Sequence, residues 1–159
     1  MTKCLWRDAV EVFNKAGAEL AKQGIQFFYH NHGYEFRPHN GKTFMEMLIE
    51  GTDPKLVAFQ MDTFWVKHPG ADPTAWLNKY PNRWKLMHVK DMKQGTESNF
   101  SGGSNVNNDV TVGTGVLDWP SILGAAKKAG VEYYFIEDES DAAAEHIPQT
   151  LAYLEKVKF

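Results

Sequence analysis

Four apolar runs in this chain end in side chains that can hold a metal ion or move a proton. Phe27-Phe28-Tyr29 leads into His30-Asn31-His32-Gly33-Tyr34-Glu35, and Val57-Ala58-Phe59-Gln60-Met61 leads into Asp62. Trp84-Lys85-Leu86-Met87 leads into His88, with Lys90 and Asp91 behind it, and Tyr133-Tyr134-Phe135-Ile136 leads into Glu137-Asp138-Glu139. Imidazoles and carboxylates are the donors of divalent-cation sites and the usual general acids and bases. A buried strand that ends in such groups delivers them to its C-terminal mouth, so four such strands point to one centre.

Each of these residues also has a plainer reading. His30 and His32 alternate with Asn31 along one strand face, which suits core packing as well as ligation. Asp62 before Thr63 could cap a following turn. His88 alone reads as a buried histidine, Lys90-Asp91 as a solvated ion pair, and Glu137-Asp138-Glu139 as an acidic loop. His39, His68 and His146 read as surface residues.

Composition bounds the class of protein. A chain of 159 residues with 43% hydrophobic and 13% aromatic content is long and apolar enough for one domain with a real core. No apolar run approaches the roughly 18 residues of a membrane span. A net charge of −3 offers no field to gather polyanions, so neither nucleic acid nor membrane is expected as a partner. One cysteine, Cys4, excludes an internal disulfide and fits a reducing compartment. Met1-Thr2-Lys3 leads into an amphipathic segment and not a signal sequence, so the chain reads as cytoplasmic, with a signal on a missing N-terminal half left open.

The elements that must position the four motifs follow from periodicity. Leu5, Ala9, Val12, Phe13, Ala16 and Leu20 recur at helical spacing, Gly24 stops that helix, and a strand starts at Ile25. Arg37 to Lys42 reads as a loop, and Phe44 to Ile49 as a short helix ended by Gly51 and Pro54. Asp72-Pro73 opens the next helix and Pro81 closes it. Between Met92 and Val112 the composition turns to Gly, Ser, Asn and Thr, which predicts a long mobile lid beside the His88 strand. Asp118 caps a helix that runs to Gly130, and Ala142 to Lys156 forms a closing helix.

The order α-βα-βα-βα-βα demands a parallel sheet with right-handed crossovers. Strands that each end in chelating or acid/base residues are the habit of a (β/α)8 barrel, which needs about 250 residues. The expected fold is therefore α/β, a TIM-barrel-type parallel (β/α)4 half barrel with a preceding helix. Such a half leaves two strand edges open, and Val57, Phe59, Leu86 and Phe135 are expected on its uncovered inner face.

Tyr29-His30-Asn31-His32-Gly33-Tyr34-Glu35-Phe36, Gln60-Met61-Asp62-Thr63-Phe64-Trp65, His88-Val89-Lys90-Asp91 and Ile136-Glu137-Asp138-Glu139 together resemble the xylose isomerase-like TIM barrels, the sugar phosphate isomerase/epimerase family. Val112-Gly113-Thr114-Gly115-Val116-Leu117-Asp118-Trp119 resembles that family's glycine turn. The likeness runs along residues 1–159 as the C-terminal half of such a barrel. It implies one divalent metal held by Asp62, His88 and Glu137 with a fourth ligand, Glu35 by preference and His32 in reserve. Three carboxylates and one imidazole would suit Mn2+ first, with Co2+, Mg2+ or Zn2+ as alternatives.

The resemblance further implies isomerisation or epimerisation of a sugar or sugar phosphate through an enediolate. Glu35 and Glu137 would act as acid/base groups, Lys90 would bind an oxygen of the reacting centre, and His30, His32 and Trp65, with Phe64, would line the substrate. The alternatives are a dehydratase or lyase on a keto-sugar or cyclic polyol, and a truncated unit without turnover. The partners expected are a small sugar and either the missing N-terminal half barrel or a second copy of the chain.

Overall fold

The computed structural model describes residues 5–159; Cys4 and the Met1-Thr2-Lys3 start lie outside the described residues. Four strands, β1 (Phe27–His30), β2 (Val57–Asp62), β3 (Trp84–Val89) and β4 (Tyr133–Ile136), form one sheet in that order with every pairing parallel. Helices α1 (Leu5–Ala21), α2 (Phe44–Gly51), α3 (Thr63–Lys67), α4 (Pro73–Lys79), α5 (Trp119–Ala129) and α6 (Ala143–Leu154) supply the connections. No helix among the described residues is long and apolar enough to cross a membrane.

The helices cover one face of the sheet only. Val57, Phe59 and Met61 alternate along β2 toward the helices and are fully buried, with Trp84, Met87 and Val89 of β3 beside them. The expectation that Val57 and Phe59 lie on the uncovered face is thus corrected: period-two alternation sends them outward, under the helices. The other face carries Phe28, Ala58, Gln60, Leu86, Tyr133 and Phe135. Phe28, Tyr133 and Phe135 remain 36%, 62% and 45% exposed, an unusual state for aromatic strand residues. β1 and β4 are the free edges.

Local chemistry accounts for the element ends. Thr43 and Glu46 form a reciprocal capping box at α2, and Asp118 accepts from the Ser121 amide at α5, which Gly130 ends in the left-handed conformation. Three details differ from the sequence reading. β1 begins at Phe27, leaving Ile25 54% exposed, and Val12 of α1 is 59% exposed. Residues 37–42 are not a plain loop: Pro38–His39 pairs with Lys42–Thr43 around Asn40-Gly41, both at positive φ, the two-residue hairpin turn that Asn-Gly favours.

The segment from Met92 to Val112 departs most from expectation. It is no structureless lid. Its ends are zipped as a two-stranded ribbon, Asp91–Met92 against Asp109–Val110, with a 3-10 turn at Val106–Asn108 between. Its polar side chains cap their own turns, Asn99 with Ser101, Ser104 with Asn108 and Asn105 with Asn107. A composition rich in Asn and Ser signals turns, which an ordered excursion can use as readily as a mobile one.

Asp91 holds the root of this excursion. It is 1% exposed and makes no ion pair with Lys90, contrary to the solvated-pair reading. Its carboxylate accepts from the amides of Met92, Gly113, Gly115 and Leu117 and from the indole N–H of Trp119, at 2.8 to 3.3 Å. A side chain at Gly115 would strike that carboxylate. Asp91→Ala, which leaves several buried donors unpaired, is expected to cost about 3 kcal/mol or more in urea unfolding. A loss below about 1 kcal/mol would show that water replaces the carboxylate.

Candidate metal centre

The strand register sets the site. His30 lies opposite Gln60, Asp62 opposite His88, and His88 opposite Phe135, so these side chains share the open face at the C-terminal end of the sheet. Two polar residues stitch the strand ends together. Buried Asn31 accepts from the Asp62 amide at 3.0 Å, and the Thr63 hydroxyl donates to the carbonyls of His88 and Lys90. Neither stood out in the sequence, although a polar residue directly after an apolar run was the available signal.

His30, Asp62 and His88 each offer a ligand atom within 4.8 Å of the other two. Asp62 is fully buried and divides its carboxylate. Oδ1 caps α3 by accepting from the Trp65 amide at 2.9 Å, and Oδ2 has no hydrogen-bond donor, lying 3.4 Å from His88 Nδ1. The capping and chelating readings of Asp62 are compatible, one oxygen for each. A buried carboxylate oxygen without a donor, facing two imidazoles, fits a cation. Glu137 Oε2 reaches His88 Nδ1 at 2.5 Å, a hydrogen bond that orients the ring beside this set.

Of the four ligand residues expected from the resemblance, Asp62 and His88 stand in this cluster, and Glu137 lies beside it as a hydrogen-bond partner of His88. Glu35 stands apart from them. It lies buried in the turn Tyr34–Phe36, where its carboxylate accepts from the Tyr29 hydroxyl at 2.6 Å and from the His32 amide at 3.0 Å. Burial, with Glu35 beside it, pushes the Tyr29 phenol up, so that it stays a donor. Glu35 shapes the loop after β1, and His30 takes the place proposed for it at the cluster. The reserve residue, His32, sits one step above, its ring 5.1 Å from that of His30.

Charge around the centre is tightly matched. Burial lowers the pKa of His30, leaving it neutral and able to ligate. Burial also opposes charge on His88, but the neighbouring carboxylates of Asp62 and Glu137 prevail and push it up to about 9. The His88 hydrogen bond, against burial and with help from Lys90, draws Glu137 down to about 2. Lys90 is 2% exposed with Glu139 at 2.6 Å, Asp109 at 3.3 Å and Glu137 at 3.7 Å. Burial resists its charge, yet these carboxylates and Asp62 hold it firmly protonated. Asp109, which sequence reading missed, is raised to about 6 by burial.

Around the mouth His32 stacks on Tyr34, with centroids 5.8 Å apart and planes 6° apart, and leans on Trp65 at 5.4 Å. Trp65 is 8% exposed and supports His32 from behind. Phe64 faces no substrate: it is buried against Lys90 and His68. His68 is itself 1% exposed, not a surface residue, because it packs on Phe64 and Trp65. His146 is half-buried against Asp138 at 2.8 Å.

Residues 4–157 match the family described as xylose isomerase-like TIM barrel. The chain belongs to that family. Its relatives within it carry more than one activity. The inosose dehydratase of Geobacillus thermodenitrificans (strain NG80-2) is 28% identical over 149 residues, 87% of this chain and 48% of that protein. A sugar phosphate isomerase/epimerase from Parabacteroides distasonis ATCC 8503 is 31% identical, with a TM-score of 0.75 over 92% of this chain and 50% of that one. The IOLI protein, solved with a zinc atom, shares the fold at 18% identity and a TM-score of 0.68, over 94% of this chain and 54% of that one. This xylose isomerase-like chain spans about half the length of the curated relatives it matches.

Three substitutions test the centre. His30→Ala and Asp62→Ala are each expected to weaken binding of Zn2+ or Mn2+ by about tenfold or more in calorimetry, while Glu35→Gln changes it by less than about threefold. His88 must shed its proton to ligate, and its pKa is raised, so affinity should climb with pH and level off near pH 9. Metal affinity that is flat between pH 6 and pH 9 would remove His88 from the ligand set.

Proposed function

We propose that this chain provides the metal-binding half of an enzyme that removes a proton beside the carbonyl of a polyhydroxy ketone and completes the reaction by loss of water. The unpartnered Oδ2 of buried Asp62, set among His30, His88 and Glu137, carries this reading. A divalent cation held by these residues would polarise a carbonyl and its neighbouring hydroxyl. Two imidazoles in the set favour Zn2+, Co2+ or Mn2+ over Mg2+.

The chain's own groups supply the proton chemistry. Glu137, ionised across the neutral range and with its side chain 34% exposed, is the carboxylate that takes the proton from carbon. Lys90 keeps Glu137 in place. Held charged by three carboxylates, it cannot serve as a base or a Schiff-base nucleophile. His32, half-buried on the Tyr34 and Trp65 wall, gives a proton to the departing hydroxyl, which leaves as water. The curated relatives that match 87% of the chain, named inosose dehydratases, support this outcome. The second reading is epimerisation or isomerisation, in which the same proton returns to carbon; the 31% identical isomerase/epimerase structure favours it.

The open face bears on turnover. We infer that β1 and β4 pair with a further (β/α) half, continuous with this chain or separate, that covers Phe28, Tyr133 and Phe135. Light scattering at micromolar concentration is expected to give a mass above that of one 18.0 kDa chain. A stable monomer that unfolds cooperatively would defeat this inference.

Incubating the metal-loaded protein with an inosose in deuterated water separates the two readings. Elimination yields a dehydrated product, epimerisation yields deuterium at the carbon beside the carbonyl without loss of water, and Glu137→Gln should slow either by about a hundredfold. No exchange and no product would reject both.

A further inference from the structure

We propose that His146, on α6, is a positioning residue for Glu137, which it keeps aimed at the centre by fastening the neighbouring Asp138 on the far side of the chain. The inference rests on the reading of Glu137 as the carboxylate that takes the proton, and it names what holds that carboxylate in place.

The run Glu137-Asp138-Glu139 sets three carboxylates side by side, and the structure gives the middle one a different neighbourhood. The Glu137 amide donates to the Val89 carbonyl at 3.4 Å, so pairing with β3 continues one residue past β4. Side chains of an extended chain alternate in direction. Glu137 Oε2 accordingly meets His88 Nδ1 at 2.5 Å and Glu139 Oε2 meets Lys90 Nζ at 2.6 Å, while Asp138 turns to α6, its side chain 6% exposed.

Three hydrogen bonds hold Asp138 there. Oδ1 accepts from the Ser140 amide at 2.9 Å and from the Ser140 hydroxyl at 2.5 Å, and Oδ2 accepts from His146 Nδ1 at 2.8 Å. The Ser140 bonds close a turn inside the loop, and the His146 bond carries the loop across to the body of α6. Capping α6 would be a plainer duty for His146. That duty falls elsewhere: the helix starts after Ala142 without a side-chain cap of its own, and the Ser140 hydroxyl accepts from the Ala142 amide at 3.3 Å.

α6 is a firm post for this purpose. His146 and Thr150 lie four residues apart on one helix face, and the Thr150 hydroxyl, in a residue 2% exposed, accepts from the Val112 amide at 3.0 Å. Beside it Gln149 accepts from the Thr111 hydroxyl at 3.0 Å. Toward the centre, Asp109 accepts from the Glu139 amide at 2.9 Å. The loop is therefore gripped from both sides, by the excursion at Glu139 and by α6 at Asp138. Glu137, with its side chain 34% exposed, has little packing of its own to fix it, and a reacting group displaced by about 1 Å loses on the order of a hundredfold in rate.

The test uses the full chain, labelled with 15N at histidine and free of metal, at a temperature where circular dichroism shows each variant folded. In the unaltered chain the His88 Nδ1–H proton, shared with Glu137, is expected as a downfield NMR signal sheltered from solvent exchange. His146→Ala should remove that signal, whereas His146→Asn, whose amide N–H stands where Nδ1 stood, should keep it. With Zn2+ bound and an inosose as substrate, His146→Ala should lower kcat by about tenfold or more with KM within about twofold, and His146→Asn should recover most of the loss. His146→Gln, whose amide stands nearer the Nε2 position, should resemble His146→Ala and decides the matter if that variant does not fold. A signal or a kcat that survives His146→Ala or His146→Gln, an Asn variant as impaired as these, or an unaltered chain that lacks the signal overturns the proposal. A signal that follows the variants as expected in a chain that turns over no inosose leaves the positioning of Glu137 standing and rejects the proton-abstraction reading.

Discussion

Asp62 has two oxygens with different duties, and the centre depends on keeping them apart. Oδ1 accepts from the Trp65 amide and starts α3, which fixes the carboxylate in direction. Oδ2 is left without a donor in fully buried surroundings, a state that costs free energy unless a cation or a charged imidazole faces it. His88, drawn up to about 9 by Asp62 and Glu137, supplies that positive charge in the protein itself. Asn31 holds the Asp62 backbone, and Thr63 ties β2 to β3, so the geometry is set by buried hydrogen bonds between strand ends and not by the mouth's exposed loops.

Charge matching extends from this pair into the excursion between β3 and α5. Lys90 follows β3, Glu137 and Glu139 follow β4, and Asp109 closes the ribbon that roots the excursion. Asp109 also accepts from the Glu139 amide, and Asn107 pairs with Asp141, so the excursion is fastened to the loop after β4 at two places. On its other side it reaches the loop after β1, with Arg37 over Phe100 and Gly102 against Tyr34. A segment with almost no aliphatic side chains is thus held by buried charge and turn hydrogen bonds in place of a hydrophobic core.

The sheet presents two faces with opposite character. One is packed under six helices, and the other exposes aromatic strand residues below the metal centre. That asymmetry belongs to part of a closed barrel, in which inward side chains meet those of opposite strands. Below the centre, Phe28, Tyr133 and Phe135 of that face stay open among the described residues.

The sequence by itself determined the four strands, their parallel order and the polar group at the end of each, because apolar runs that stop at ligand-type residues leave little freedom in register or direction. It also carried the family, through motifs whose order matches a barrel. What it could not decide was which of several neighbouring donors converge. Glu35 and His30 lie five residues apart in one motif, and only the turn Tyr34–Phe36, closed by the Tyr29 hydroxyl and the His32 amide, directs Glu35 away and leaves His30 at the cluster. Burial of His68, the isolation of Asp91 from Lys90 and the order of residues 92–112 likewise arise from contacts between segments distant in the chain. Spacing reports the face on which a residue lies, and tertiary packing alone decides which partners that face meets.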